Sequence, residues 1–287
     1  MECEINTVYD GIWNYPTNGD TWDKTDCSGY QATGASKPCS YVKGVPSTVY
    51  MDYFPPGYFR VFGDFLAAKL GNTTLAANGQ THRDFWYKTA QTVWELVERC
   101  YDQTAINPGL MAAGGNVSNP CATMSMGTYE EMRSLWRLGI DAAWFGDNAS
   151  LPENAAGSSS HYGPKTRMQA KVDNTQQFFN NFSQNNPVEP NANRFSSICD
   201  RLQADGAVTN CDPAYGHNSY TVNTAMCNYV SVFNDGGATT PDIRQEALEE
   251  AVSTTVENDK YFQESLGVYS MLFLSGNFPN PMTVQSK

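Results

Sequence analysis

Apolar residues recur along most of the chain with a helical period. Phe59, Phe62, Leu66 and Leu70 are spaced 3, 4 and 4. Trp86, Thr89, Val93, Val97 and Cys100 are spaced 3, 4, 4 and 3, and Tyr129, Met132, Trp136, Ile140 and Ala143 repeat that pattern. Side chains three or four positions apart share a helix face, so each set predicts an amphipathic helix with its stripe turned to a core. Weaker periodicity predicts helices near 2–13, 165–183, 192–204, 218–234 and 241–258. The segment Ser265 to Ser275 is apolar nearly all round and is expected to be packed on both sides. The total is about nine helices. Strand signals are sparse. Residues 15–56 form a long loop region rich in Gly, Pro, Ser and Tyr, while 103–127, 148–164 and 180–193 are shorter irregular links. No shift in composition marks a second domain, so 1–287 is expected to be a single domain of stacked antiparallel helix pairs, as in a helical toroid.

Charge narrows the partners. A formal net charge of −12 argues against nucleic acid and anionic membrane. Only 17% of residues are charged and 13% are aromatic, which suits an uncharged ligand such as a sugar polymer. No apolar run reaches the ~18 residues that span a bilayer. The acidic start, Met1-Glu2-Cys3-Glu4, is not a signal peptide. Yet the 8 cysteines, with no C-x-x-C and no Cys/His cluster, favour disulfides and an extracellular, oxidising location. Four N-x-[ST] sequons agree with secretion. A signal already removed, or a start part-way through a gene, would reconcile these features.

Three segments carry candidate chemistry. In the first, Thr128-Tyr-Glu-Glu131 fits a capping box, with Thr128 as N-cap and Glu131 at N3. Glu130 is then free to point elsewhere, and the helix dipole keeps a first-turn carboxylate ionised, as a general base must be. Glu130, Arg133, Arg137 and Asp141, spaced 3, 4 and 4, form one polar stripe. The stripe is either a solvated ion-pair ladder or, with Tyr129, Trp136 and Trp144 beside it, the floor of a sugar-stacking cleft. In the second segment, Asp52 to Phe62, prolines end the long loop and start a helix, with Tyr53 and Tyr58 flanking the junction. In the third, the helix before Ser275 stops at Gly276, followed by Pro279 and Pro281. His82, His161 and His217 lie far apart, and no metal, nucleotide or nucleophile-elbow motif is present. Neither metal nor cofactor is expected, and carboxylate chemistry is the main option.

At these segments the chain resembles glycoside hydrolase family 8, which comprises endoglucanases, lichenases, xylanases and chitosanases. Tyr129, Arg133, Trp136, Arg137, Asp141, Trp144, Gly146 and Asp147 match the family's Tyr-Asp-Ala-x-Arg-x-Pro-Trp-Arg helix and its Trp-Tyr-Gly-Asp ending. Tyr53, Phe54, Pro56, Tyr58, Arg60 and Phe62 match its Asn-Pro-Ser-Tyr-Phe segment. Asn18 to Trp22 resembles its Gly-Asp-x-Trp loop, and Tyr261 to Pro281 its last helix. The resemblance implies an all-α, (α/α)6-barrel-like helical toroid, incomplete at about nine of twelve helices. The single domain is then a catalytic one, N-terminally truncated relative to the family. The implied activity is inverting, endo-acting hydrolysis of β-1,4-linked polysaccharide, with cellulose or mixed-linkage β-glucan foremost, by a secreted monomer. Glu130 stands where the family usually has its catalytic Asp base. Tyr53 falls where a tyrosine holds the nucleophilic water. Tyr58, Tyr129, Arg133, Arg137 and Tyr261 fall on substrate-binding positions. The family's general acid, a Glu in a Ser-Glu-Gly motif, has no counterpart, and Gly109-Leu110 departs from the family's Gly-Leu-x-x-Asp-Trp. The alternative is a non-catalytic glycan-binding or extracellular structural protein on the same scaffold.

Overall fold

The computed structural model describes residues 49–50, 53–74, 80–100, 114–115, 131–146, 163–167, 249, 265, 268–269, 271–273 and 275–283. Three helices dominate: α1 (Pro56–Leu70), α2 (His82–Cys100) and α3 (Glu131–Phe145). Residues 164–167 and the described positions from 265 to 273 are helical too. Two short strands, β1 (Val49–Tyr50) and β2 (Gly114–Gly115), pair antiparallel, with Val49 opposite Gly115. They lie inside stretches expected to be loop. The expected helices near 2–13, 192–204 and 218–234 fall outside the described residues, as do all eight cysteine side chains and hence any disulfide.

Local chemistry accounts for the helix ends. Pro56 opens α1, where a missing N–H costs nothing, and the Pro55 carbonyl accepts the N–H groups of Tyr58 (3.1 Å) and Phe59 (3.2 Å). Thr81 caps α2: its Oγ1 accepts the Asp84 N–H at 3.1 Å and donates to the Asp84 carboxylate at 2.7 Å. All three described C-terminal stops use a left-handed glycine. Gly71 has φ +77°, Gly146 +55° and Gly276 +73°. At the last, Gly276 N–H bonds Phe273 O and Asn277 N–H bonds Leu272 O, the paired bonds of a Schellman motif. The stop expected at Gly276 is therefore present.

The three helices share a core, with α1 packed on both α2 and α3. On α2 the expected stripe is right, since Trp86, Thr89, Val93 and Val97 are all buried. On α1 it is partly wrong. Of that stripe Phe62 and Leu70 are exposed, and the buried positions are Pro56, Gly57, Arg60, Val61 and Gly63. Glycine makes the close approach: a Cβ on Gly63 would stand 3.1 Å from Trp86 Cβ, and one on Gly57 3.1 Å from Asp141 Cα. The α1–α2 contact is finished by Phe59 and Phe62 against Trp86, at 5.7 and 5.2 Å between ring centroids, and by Asp64, which accepts from Arg83 and Tyr87. On α3, Trp136 and Ile140 are buried as expected but Ala143 is exposed, and Leu138, Asp141 and Ala142 join the core. The helix near 265–275 is corrected as well. Val268, Tyr269 and Leu272 are exposed, so it is not packed on both sides. Arg167 ties the 164–167 stretch to α2 through Glu95 at 3.0 Å.

Candidate functional site

The site is built where α1 meets α3. Arg60 and Asp141 are both fully buried, and Arg60 Nε donates to the two Asp141 carboxylate oxygens at 3.0 and 3.3 Å. Trp94 Nε1, from α2, donates to the same carboxylate at 2.7 Å. The Arg60 guanidinium lies over the rings of Tyr87 (5.2 Å) and Phe145 (5.8 Å). One charge pair thus holds three helices in register. Asp141 is therefore not an exposed rung of the polar stripe on α3, because burial with Arg60 removes it from any cleft.

The described arginines of that stripe, Arg133 and Arg137, are only partly buried. Arg133 is partly exposed, with its guanidinium 5.4 Å from the Tyr53 ring centre. One turn further along α3, Arg137 lies near enough to Tyr58 to bias the ionisation of its hydroxyl. Burial raises that phenol's pKa, neighbouring Tyr269 raises it further, and Arg137 opposes both. The Tyr58 ring meets Trp144 edge-on at 5.3 Å. Trp144 in turn stacks on Phe278, with centroids 5.7 Å apart and planes 10° apart, and its Nε1 donates to the Phe278 carbonyl at 2.9 Å. Trp136 contacts Tyr269 (5.7 Å) and Phe278 (6.4 Å).

Four of the expected site residues, Tyr53, Tyr58, Arg133 and Arg137, are therefore described, and they sit along the α1–α3 junction. Glu130, Tyr129 and Tyr261 lie outside the described residues. Trp94, Tyr87, Phe145, Tyr269 and Phe278 were not expected at this junction. Trp94 stands next to the predicted α2 stripe rather than in it, and the readable signal was that an indole N–H buried there must find an acceptor. Among the described residues no three His, Cys, Asp or Glu side chains gather to hold a metal, and no helix is long and apolar enough to cross a membrane. Among the described carboxylates, Asp141, Asp64 and Glu95 are each engaged by an arginine, and Asp84 by the Thr81 hydroxyl.

No protein-family model and no curated protein matches the chain. Solved structures do. A reducing-end-xylose releasing exo-oligoxylanase complexed with xylose aligns with a TM-score of 0.54 at 16% identity, covering 86% of this chain and 56% of that one. Another structure of a reducing-end-xylose releasing exo-oligoxylanase gives 0.52 at 16% identity, covering 84% and 51%. The chain thus spans about half the length of the solved structures it matches. The likeness shows the fold, an all-α, (α/α)6-barrel-like arrangement similar to that of these glycoside hydrolases.

Proposed function

We propose that the chain is the catalytic scaffold of a secreted, endo-acting glycoside hydrolase on neutral β-1,4-linked polysaccharide, glucan or xylan, working by inversion as a monomer. One observation carries this reading. Segments 53–62, 133–146 and 275–281, each of which resembles the same family in its residues, pack on one another through the side chains that carry the resemblance. Arg60 meets Asp141, Tyr53 meets Arg133, Tyr58 meets Trp144, and Trp144 meets Phe278.

In this reading a sugar ring lies beside Tyr53 and Arg133. Ionised Glu130 takes a proton from a water as the water's oxygen attacks the anomeric carbon, and the glycosidic oxygen leaves with a proton from a general acid. Aromatic faces bind the C–H faces of the sugar, while Arg133 and Arg137 donate to its hydroxyls. The even cysteine count supports an oxidising location and disulfides.

Reducing-sugar release from carboxymethylcellulose, lichenan, xylan and chitosan tests the reading, with Glu130→Gln as the comparison. Wild-type release should fall by roughly 10²–10⁴-fold in the variant, and NMR of the first product should show the inverted anomer. Activity untouched by the substitution removes Glu130 as base. Glu130, standing where the family usually has aspartate, motivates a second reading, glycan binding without turnover, and tight binding with no release would establish it.

A further inference from the structure

Of the four N-x-[ST] sequons, Asn72-Thr73-Thr74 lies among the described residues, directly after α1. Gly71 ends that helix in the left-handed region, and Asn72 follows it there with φ +48°, its N–H bonded to Ala67 O at 3.1 Å. Asparagine is among the few side chains enriched in that conformation. Thr74 then pairs with Thr81 in an isolated antiparallel bridge. Residues 71–74 are all exposed, and a Cβ on Gly71 would meet nothing within 4 Å. The acceptor tripeptide is therefore held at the surface with open space beside it.

The Asn72 amide has two ends with different tasks. Oδ1 accepts the Arg83 N–H at 3.3 Å, one of the first-turn donors of α2 that no carbonyl of its own helix can reach. A backbone N–H can only donate, so this contact assigns the oxygen to the inner end of the amide and Nδ2 to the other. Nδ2 takes no part in the contact. An N-linked sugar replaces one Nδ2 hydrogen and keeps the carbonyl, so modification leaves the tie between α1 and α2 intact.

The neighbouring surface has a use for such a group. Phe62, Phe65, Lys69 and Asn72 are spaced 3, 4 and 3, so the outer face of α1 leads toward the sequon. Phe65 and Leu70 are each about half exposed on that helix. Leu70 stands two residues before Asn72, and Phe65 lies about 10 Å back along the helix axis. An oligosaccharide is bulky and solubilising, and at Asn72 it stands beside this apolar patch.

We propose that Asn72 is an N-glycosylation site whose glycan shields Phe65 and Leu70. The inference rests on the secreted location proposed above. In the transfer, Nδ2 bonds the anomeric carbon of a polyprenyl-diphosphate-linked oligosaccharide. The bond from that carbon to the diphosphate oxygen breaks, the electron pair leaves with the diphosphate, and Nδ2 gives up one proton. The full chain is expressed behind a secretion leader in a eukaryotic cell and collected from the medium. Cleavage after Lys69 and Arg83 releases residues 70–83, in which Asn72 heads the one sequon. Peptide N-glycosidase should convert Asn72 to aspartate, and fragment ions separate this from spontaneous deamidation at Asn78-Gly79. Asn72→Gln should lower the intact mass by one glycan. Thr74→Ala leaves the amide in place and should do the same, whereas Thr74→Ser should keep the glycan. Both glycan-free variants should bind more of an apolar dye than the wild type, and adding Phe65→Ser with Leu70→Ser should cancel the rise. A secreted chain with Asn72 unmodified overturns the site and leaves the secreted location standing. Equal dye binding with and without the glycan overturns the shielding. A chain that fails to reach the medium overturns both the site and the location.

Discussion

A carboxylate with no exposed surface needs donors on every side, and Asp141 receives them from Arg60 and Trp94. Breaking such a pair is costly because the survivor keeps its charge in a dry environment. Asp141→Ala should lose about 3–5 kcal/mol of stability, read from the urea midpoint. Joint replacement, Arg60→Met with Asp141→Leu, should recover most of it. The remaining deficit of about 1–3 kcal/mol belongs to the unsatisfied Trp94 N–H. Tyr87, 2% exposed, carries a different signature. Burial, then the neighbouring Asp64 charge, push its phenol from 10.0 up to about 12, against the pull of Arg83. Between those values the folded chain keeps a proton that the unfolded chain has released. Stability should therefore fall as pH rises through this window, by at most about 1.4 kcal/mol per pH unit. Melting curves across the window should show that slope, and Tyr87→Phe should flatten it.

At the scale of elements, the α1–α3 contact depends on a missing side chain. A Cβ on Gly57 would meet Asp141 Cα at 3.1 Å and Asp141 N at 3.2 Å, both backbone atoms that cannot swing aside. Gly57→Ala should therefore destabilise by about 1–3 kcal/mol and loosen the Arg60–Asp141 pair with it. Gly276→Ala meets nothing within 4 Å and carries only the strain of φ +73°, so about 1 kcal/mol is expected. Thermal melts of the two variants separate packing from backbone strain. The same contrast explains what periodicity could reveal. The buried face of α2 is Trp, Val, Leu and Thr, and its stripe is legible. The buried face of α1 contains Gly57, Arg60 and Gly63, which score as spacer or polar, so the visible stripe turns Phe62 and Leu70 outward instead. The Gly276 stop was legible because glycine and proline act locally. The meeting of Tyr53 with Arg133, 80 positions apart, has no local cause; only the resemblance of both segments to one family pointed to it.

Across the whole molecule, charge and site pull in different directions, which yields a discriminating test. The chain carries −12 overall, yet at the junction Arg133 lies over the Tyr53 ring, Arg137 lies near Tyr58, and buried Asp141 is neutralised by Arg60. A long-range field of that sign repels polyanions and does nothing for an uncharged ligand. Screening by salt removes Coulomb forces beyond a Debye length, about 10 Å at 0.1 M and 3 Å at 1 M, but leaves stacking and neutral hydrogen bonds intact. Affinity for xylopentaose or cellopentaose should thus change by less than about two-fold between 0.1 M and 1 M salt. Heparin, a polyanionic 1,4-linked glycan, should bind poorly at 0.1 M. A steep salt dependence with the neutral oligosaccharides would mean that the two arginines, not the ring faces, dominate recognition. It would move the site from neutral glucan or xylan toward an acidic sugar, with Arg133→Gln and Arg137→Gln then the variants that abolish the dependence.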